Sequence, residues 1–191
     1  EIVDAVPRFY RTEGGETLSP KGRIGKEISA TFDIIMCRPE MRRNIMRTLP
    51  EKTGIRMEGF VVTAMSTGQL VLSSEEKRLG CMLVDLGAET CTVSIYKFGH
   101  LCYFATLPLG GRNITRDLTS LNLLEEKAEE IKTVSGNAMA TETGPQININ
   151  GLKVSDISNI IVARAEEIAV NILEQIEYAG LKPKDLPGGI V

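Results

Sequence analysis

The sequence contains no tryptophan, and it has a single histidine, His100, among its 191 residues. Mechanisms that need a buried histidine as a general base have almost nothing to use, which argues against a histidine-dependent hydrolase. A CxxC pair is also missing. The four cysteines, three of which lie in apolar runs typical of strands, are therefore predicted to be reduced core residues rather than a disulfide framework or a metal site.

Strong charge and long apolar runs are lacking as well. The net charge of −3 argues against a dedicated nucleic-acid binder, which normally carries a basic stripe. No apolar run approaches the roughly 20 residues that cross a bilayer, and the start of the chain has no signal-peptide pattern, so a cytosolic protein is predicted. The absence of an initial methionine and the strand-like end Gly188–Val191 predict an internal piece of a longer protein.

The front third of the chain has the pattern of a small α+β unit. We expect Gly54 to cap its main helix and Pro50 to kink that helix or end it early. The predicted elements are a loop-rich entry or hairpin over residues 1–30, a strand at Ala30–Met36, a helix from Pro39 to about Thr53, a strand at Ile55–Thr63 and a short helix at Ala64–Leu72.

The remainder predicts a three-stranded meander followed by helices. A long helix from about Ser155 should bury one face, which carries Ile157, Ile161, Ala165, Ile168, Ile172 and Ile176. The other predicted elements are strands at Leu79–Asp85, Thr90–Tyr96 and Leu101–Leu107, a helix bearing Ile114, Leu118 and Leu121, a helix at Glu125–Val134, an exposed loop at residues 137–145, a short strand at Ile147–Ile149 and a final strand after Pro187.

The turn after the first meander strand has the composition of a phosphate site. Asp85 ends a strand, Gly87 permits a tight turn, and Thr90 opens the next strand. Consecutive backbone N–H groups in such a turn can hold an anion, and the aspartate can hold Mg²⁺ through its waters. An ordinary Asp-x-Gly hairpin turn is the alternative explanation of the pattern.

The order of motifs around this turn resembles the bacterial cell-division family FtsA. The motifs are DxGxxT between two strands (Asp85–Thr90), LGGxxITxD (Leu109–Asp117), AExIK (Ala128–Lys132, as Ala-Glu-Glu-Ile-Lys) and the closing Gly188–Val191. The resemblance implies an α/β, actin-like (ribonuclease H-like) ATPase subdomain with a small inserted α+β interaction subdomain. Residues 1–66 would be that inserted subdomain, and residues 67–191 would be part of the second actin-like lobe.

The resemblance also implies a nucleotide site. Asp85 would act near the magnesium ion through water, and the turn would wrap the terminal phosphates of ATP. Glu129 and Lys132 would reach the ribose and base, although an exposed i, i+3 ion pair explains the same two residues. The implied nucleotide-binding residues are Asp85, Gly87, Ala88, Glu89, Thr90, Gly110, Gly111, Glu129 and Lys132.

Glu89 is a departure from the family pattern, which has glycine there. A carboxylate beside a triphosphate is electrostatically unfavourable unless it points away or meets the metal. The resemblance implies at most a slow ATPase in the whole protein and weak or absent ATP binding by this chain alone, because the first phosphate loop and the adenosine loop lie outside it.

Partners follow from the same resemblance. The FtsZ C-terminal tail would meet Arg164, copies of the protein would polymerise, other division proteins would bind residues 1–66, and a C-terminal helix outside this chain would reach the inner face of the cytoplasmic membrane. A solvated salt bridge is the alternative for Arg164. The cluster Arg38, Arg42, Arg43 and Arg47 is predicted to be a solvated helix face, with a partner contact as the alternative.

The resemblance leaves two function classes open. The first is an ATP-binding, polymerising protein that links the FtsZ ring to the membrane at the septum. The second is a pure adaptor whose nucleotide site has degenerated, either a divergent FtsA paralogue or a pilus-assembly type, and Glu89 favours it. A sugar kinase or chaperone ATPase of the same superfamily is disfavoured, because the inserted unit is too small for a sugar site.

Overall fold

The computed structural model describes residues 1–139, 148–149 and 151–191. The chain divides into two compact units, Glu1–Leu70 and Val71–Val191. The assignment of the predicted parts, residues 1–66 and 67–191, to an interaction subdomain and an actin-like lobe stays a prediction.

Unit 1 is built on an antiparallel sheet with the strand order β2-β1-β3. Its strands are β1 (Ile2–Thr12), β2 (Gly15–Thr17) and β3 (Ser29–Met36), and β1 pairs with both neighbours. The hairpin alternative for the start of the chain is therefore confirmed, but the eleven-residue length of β1 was not predicted.

The two helices of unit 1 begin at Pro39 and at Thr63. Helix α1 (Pro39–Thr53) starts with a proline in its first turn and ends at Gly54, which adopts φ +69° and donates its N–H to Pro50 O at 2.8 Å. The expectation that Pro50 ends the helix early is wrong, because the helix continues to Thr53 and the bond from Gly54 closes the turn that begins at Pro50. Helix α2 (Thr63–Val71) follows, as predicted.

The predicted strand at Ile55–Thr63 is wrong, and with it the strand-helix-strand arrangement of residues 30–63. Residues 54–62 form no strand, and Thr63 already begins α2. A strand needs a ladder partner, and in this unit the partner of β3 is β1. Val61 is 78% exposed, so β propensity in this segment has no buried surface to support it.

Unit 2 opens with helix α3 (Ser74–Leu79) and the predicted meander β4 (Cys81–Leu86), β5 (Cys91–Lys97) and β6 (His100–Leu107). The meander is antiparallel in the order β4-β5-β6. Near the end of the chain, Ile190 forms a parallel bridge with Met82, where the sequence predicts the final strand. Strand β4 begins later than predicted because a capping box at Ser73 and Glu76 starts α3.

The other helices of unit 2 carry its core. They are α4 (Gly111–Leu118), a 3₁₀ turn at Thr119–Leu121, α5 (Glu125–Ser135), α6 (Val154–Tyr178) and a 3₁₀ turn at Pro183–Asp185. Before α6 lies a short hairpin of β7 (Asn148–Ile149) and β8 (Leu152–Lys153). Ile147 and most of the predicted loop at residues 137–145 lie outside the described residues.

Helix α6 holds the two halves of this core together with one apolar face. Its second half, with Ile168, Ile172 and Ile176, packs against sheet residues that include Val93 and Ile95. Its first half, with Ile157 and Ile161, packs against Leu118 of α4 and Ile131 of α5. The predicted face is therefore confirmed for its five isoleucines, whereas Ala165 is only half-buried. Each fully buried isoleucine contributes about 1.5–3 kcal/mol of transfer free energy.

The cysteine prediction is only half right. Cys81 and Cys91 are buried free thiols, and burial raises the pKa of both. Cys37 is half-buried and Cys102 is exposed. Cys102 lies on β6, where side chains alternate between buried and exposed positions, and an apolar run does not show which face a residue takes. No helix among the described residues is long and apolar enough to span a membrane.

The two-residue turn between β5 and β6 contains a strained residue. Phe98 adopts φ +55° and Gly99 adopts φ +86°. Their N–H groups donate to Arg78 O at 3.2 Å and to Lys77 O at 3.0 Å, so the turn caps the end of α3. Asparagine and glycine are the favoured pair in such a turn, and phenylalanine is not.

We expect Phe98→Asn to stabilise the chain by about 0.5–1 kcal/mol, because asparagine tolerates the left-handed conformation. Urea unfolding measures the change. Phe98→Ala is the control, since it also removes the exposed ring that lies 5.5 Å from Lys97 Nζ but keeps an ordinary side chain at positive φ. Equal stability of the two variants would contradict the assignment of strain to Phe98.

Candidate functional site

The candidate site starts at the turn between β4 and β5, called the 86–91 hairpin after the residues that flank it. Asp85 lies near the end of β4, opposite Thr92. The turn residues Gly87, Ala88, Glu89 and Thr90 are all exposed, and Gly87 N–H donates to Thr90 O at 2.9 Å. That bond closes the turn and presents its tip to solvent.

Three consecutive N–H groups at the tip remain open. Those of Ala88, Glu89 and Thr90 donate no hydrogen bond to any residue that the structure describes. Such a run of free backbone donors is the arrangement that holds a phosphate oxygen in turn-type anion sites. The hairpin can therefore bind an anion through its backbone without a cationic side chain.

The glycine pair at the start of α4 holds the hairpin in place. Gly111 N–H donates to Gly87 O at 3.0 Å, and Arg112 N–H donates to Ala88 O at 2.8 Å. A Cβ on Gly110 would lie 2.3 Å from Ala88 O, so only glycine allows this approach. Two N–H groups at the start of α4 are thus bonded to hairpin carbonyls.

Glu129 and Lys132 of α5 form a network with α4 rather than an isolated surface pair. Lys132 Nζ donates to Gly111 O at 3.1 Å, to Thr115 Oγ1 at 2.9 Å and to Glu129 Oε2 at 2.7 Å. Thr115, which is buried, donates in turn to Glu129. All three ammonium hydrogens have acceptors, so the side chain fixes α5 against the glycine pair.

Lys132 and Thr115 also set the charge of Glu129. Their hydrogen bonds lower the pKa of the carboxyl below its usual value of 4.5, and that of Lys132 has the larger effect. Both bonds therefore favour the ionised form of Glu129.

A cleft of about 370 Å³ lies between the hairpin, α4 and α5. The structure brings four of the nine predicted nucleotide-site residues together in its lining. The other five are not part of it: Asp85, Gly87, Glu89, Thr90 and Gly110. Four further lining residues were not predicted. The lining comprises Ala88, Gly111, Arg112, Thr115, Glu125, Glu126, Glu129 and Lys132.

Glu89 is turned toward α4. Its Oε1 accepts from Arg112 at 2.9 Å and from Arg116 at 3.2 Å. Arg112 also donates to Glu125 at 2.7 Å, and these carboxylates, Glu125 first, raise the pKa of the guanidinium. A carboxylate at this position would be tolerated beside a triphosphate if it pointed away or met the metal ion. In the structure the Glu89 carboxylate points toward α4, away from the hairpin tip.

Asp85 is the one residue that is predicted to act near a metal ion. Among the described residues, no group of three or more histidine, cysteine, aspartate or glutamate side chains is placed to hold a metal ion. One carboxylate fits a Mg²⁺ ion that keeps most of its waters and takes its other ligands from phosphate oxygens. The residues present therefore fit a water-mediated role, which is the role predicted.

Arg164 is occupied within the chain. Its Nε and Nη2 donate to the two carboxylate oxygens of Asp117 at 2.5 and 3.0 Å, and its Nη1 donates to Glu167 at 2.7 Å. Asp117 is the first cause of the raised pKa of Arg164. A role in partner binding stays a prediction for this residue.

The arginine cluster of unit 1 is largely neutralised within that unit. Arg42 pairs with Glu1 and lies over the ring of Phe60. The other ion pairs of the cluster are Arg43–Glu40 and Arg47–Glu51. These pairs agree with a solvated helix face.

We expect Gly110→Ala to destabilise the chain by about 1–3 kcal/mol, because its Cβ would overlap Ala88 O. The free energy of unfolding in urea measures this. Gly111→Ala is the matched control, since its Cβ would lie 3.8 Å from Lys132 Nζ, an ordinary contact. A harmless Gly110→Ala would show that the hairpin does not sit against α4 as described.

The lowered pKa of Glu129 predicts a pH dependence. A depressed carboxylate stabilises the fold above its unfolded-state pKa and loses this contribution as the pH falls through the lower folded-state pKa. We therefore expect Glu129→Gln to flatten the loss of stability below about pH 4.5, as measured by unfolding at several pH values. In a Lys132→Met background the same substitution should change the slope much less, and an equal change would exclude Lys132 as the cause.

Comparison with known proteins agrees with these motifs. The family model for the cell division protein FtsA matches residues 82–177. FtsA of Porphyromonas gingivalis is 32% identical over 200 residues, covering 100% of this chain and 42% of the relative. FtsA of Bacillus subtilis is 30% identical over 202 residues, covering 100% of this chain and 45% of the relative. The chain thus spans less than half the length of these curated relatives.

Two solved structures show the fold. The PilM–PilN type IV pilus biogenesis complex matches with a TM-score of 0.60 at 17% identity, over 92% of this chain and 44% of that chain. MreB5 of Spiroplasma citri bound to ADP matches with a TM-score of 0.51 at 12% identity, over 94% and 72%. The predicted actin-like fold is confirmed. With the family match over residues 82–177, the chain belongs to the FtsA family of actin-like cell-division proteins.

Proposed function

We propose that the whole protein binds ATP with Mg²⁺ at the 86–91 hairpin and acts as a polymerising link between the FtsZ ring and the cytoplasmic membrane. The observation that carries the nucleotide part is the run of three free N–H groups at Ala88, Glu89 and Thr90. This run begins three residues after Asp85. Phosphate oxygens would take these donors, and Asp85 would order the waters of the metal ion.

The cleft beside the hairpin suits the nucleoside part of the ligand. Its lining contains the carboxylates of Glu125, Glu126 and Glu129, which are acceptors for ribose hydroxyls. Bound Mg²⁺ would supply charge neutralisation of the phosphates. Turnover is expected to be slow, because His100 pairs with Lys97 at the far end of β5 and no histidine base stands at the hairpin.

The partner roles are proposals on family grounds. The FtsZ tail would bind near Arg164, which lines a groove of about 480 Å³ beside α4 and α6. Residues 1–66 would contact other division proteins, and the membrane contact would lie outside this chain, so that the whole protein is peripheral to the cytoplasmic face. The net charge of −3 fits protein partners rather than nucleic acid.

A second candidate is an adaptor that has lost nucleotide binding and acts only through protein contacts. Glu89 within the phosphate-type turn is the observation that favours it. The PilM–PilN structure, which is named as a pilus biogenesis complex, shows that the fold occurs in an assembly of that kind.

Calorimetric titration of the whole protein with MgATP tests the proposal. We expect binding that Asp85→Asn weakens about tenfold when Mg²⁺ is present and much less when EDTA removes it, because the carboxylate acts through the metal's waters. Glu174→Gln, which removes an exposed carboxylate of α6, should leave affinity unchanged. The chain alone should bind weakly or not at all.

Two results would reject the first candidate. Equal affinities of the wild type and Asp85→Asn in Mg²⁺ would place the phosphates elsewhere. Absence of binding until Glu89→Gly is made would indicate a degenerate cleft, and the adaptor function would then stand.

A further inference from the structure

Glu89 carries an acidic side chain in the middle of the three free N–H groups, yet its carboxylate is committed to α4. Both bonds go to one oxygen, from Arg112 at 2.9 Å and from Arg116 at 3.2 Å. These arginines lie four positions apart on α4, so one helical face presents both guanidinium groups to the hairpin.

The charges of this group cancel. Arg112 and Arg116 carry two positive charges, and Glu89 and Glu125 carry two negative charges, with Arg112 shared between the two carboxylates. All these side chains are about half exposed, so a single pair would orient its partners only weakly. Two arginines on one carboxylate, one of them anchored to α5, define its direction better than one pair does.

We infer that Arg112 and Arg116 are positioning residues that act through Glu89: they draw its carboxylate off the hairpin tip and leave the three N–H groups open to an anion. This inference rests on the proposed function for the identity of the anion. Glu89 and the two arginines then form one unit, in which the arginines are needed only because the glutamate is there.

The alternative is that Arg112 and Arg116 bind phosphate directly, and a variant that lacks Glu89 as well as both arginines distinguishes the two roles. If they bound phosphate themselves, their loss would weaken binding whatever residue stood at position 89. If they only restrain Glu89, removal of the glutamate makes them dispensable. The order of substitution therefore separates restraint from direct contact.

The test is MgATP titration of the whole protein in four forms: wild type, Glu89→Gly, Arg112→Gln/Arg116→Gln and the triple variant. We expect the double arginine variant to bind about three- to tenfold more weakly, because the freed carboxylate competes with phosphate. The triple variant should return to within about twofold of the Glu89→Gly form. Arg43→Gln/Arg47→Gln, which removes two exposed arginines of α1, is the control for net charge and should change nothing.

A readout without nucleotide accompanies the titration. A double-mutant cycle of Glu89→Gln against Arg112→Gln/Arg116→Gln, measured by urea unfolding, should show a coupling of about threefold in the folding equilibrium constant. No coupling would overturn the inference, as would a triple variant that stays as weak as the double arginine variant. Binding by Glu89→Gly but not by the wild type would also overturn it, because the restraint would then be insufficient.

The remaining outcome separates the inference from the proposed function. If no form binds MgATP but the cycle shows coupling, the nucleotide function fails while the restraint of Glu89 by the two arginines stands. If the wild type binds and the cycle shows no coupling, the nucleotide function stands and the restraint fails.

Discussion

The contact on which the candidate site depends is the pair of backbone bonds between the 86–91 hairpin and the start of α4. The N–H groups of Gly111 and Arg112 meet Gly87 O and Ala88 O, and Gly110 makes the approach possible by lacking a Cβ. Because the hairpin carbonyls are tied to α4, its outward N–H groups are held at a fixed place. Lys132 extends the same restraint to α5 through Gly111 O.

Patterns that depend on local sequence were predictable, and those that depend on a distant partner were not. The alternating runs gave β4, β5 and β6, and the 3.6-residue spacing of isoleucines gave the buried face of α6. The strand expected at Ile55–Thr63 does not form because β1, which precedes β3 in the chain, takes the place beside β3. Pro50 does not end α1, because the cap at Gly54 closes the last turn over the proline.

The candidate site divides in the same way. The composition of Asp85–Thr90 indicates a phosphate-type turn, because such turns need particular residues at fixed spacing. The glycine pair and Lys132 were implied by the family resemblance. Arg112, Arg116 and Glu125 were missed, since their importance arises only when α4 and α5 bring them to Glu89 and to each other. In the sequence Glu89 is an isolated departure from the family pattern. The arginines that bind its carboxylate lie 23 and 27 residues further along the chain.

The three cationic side chains near the 86–91 hairpin are already bonded within the chain. Arg112 and Arg116 are paired with Glu89. Lys132 donates its three ammonium hydrogens to Gly111, Thr115 and Glu129. In the part of the chain that the structure describes, the hairpin thus offers neutral N–H dipoles rather than a side-chain charge. A triphosphate bound by such donors keeps most of its charge, which a metal ion at Asp85 is suited to offset. Under the proposed function, binding of a triphosphate would therefore depend on Mg²⁺.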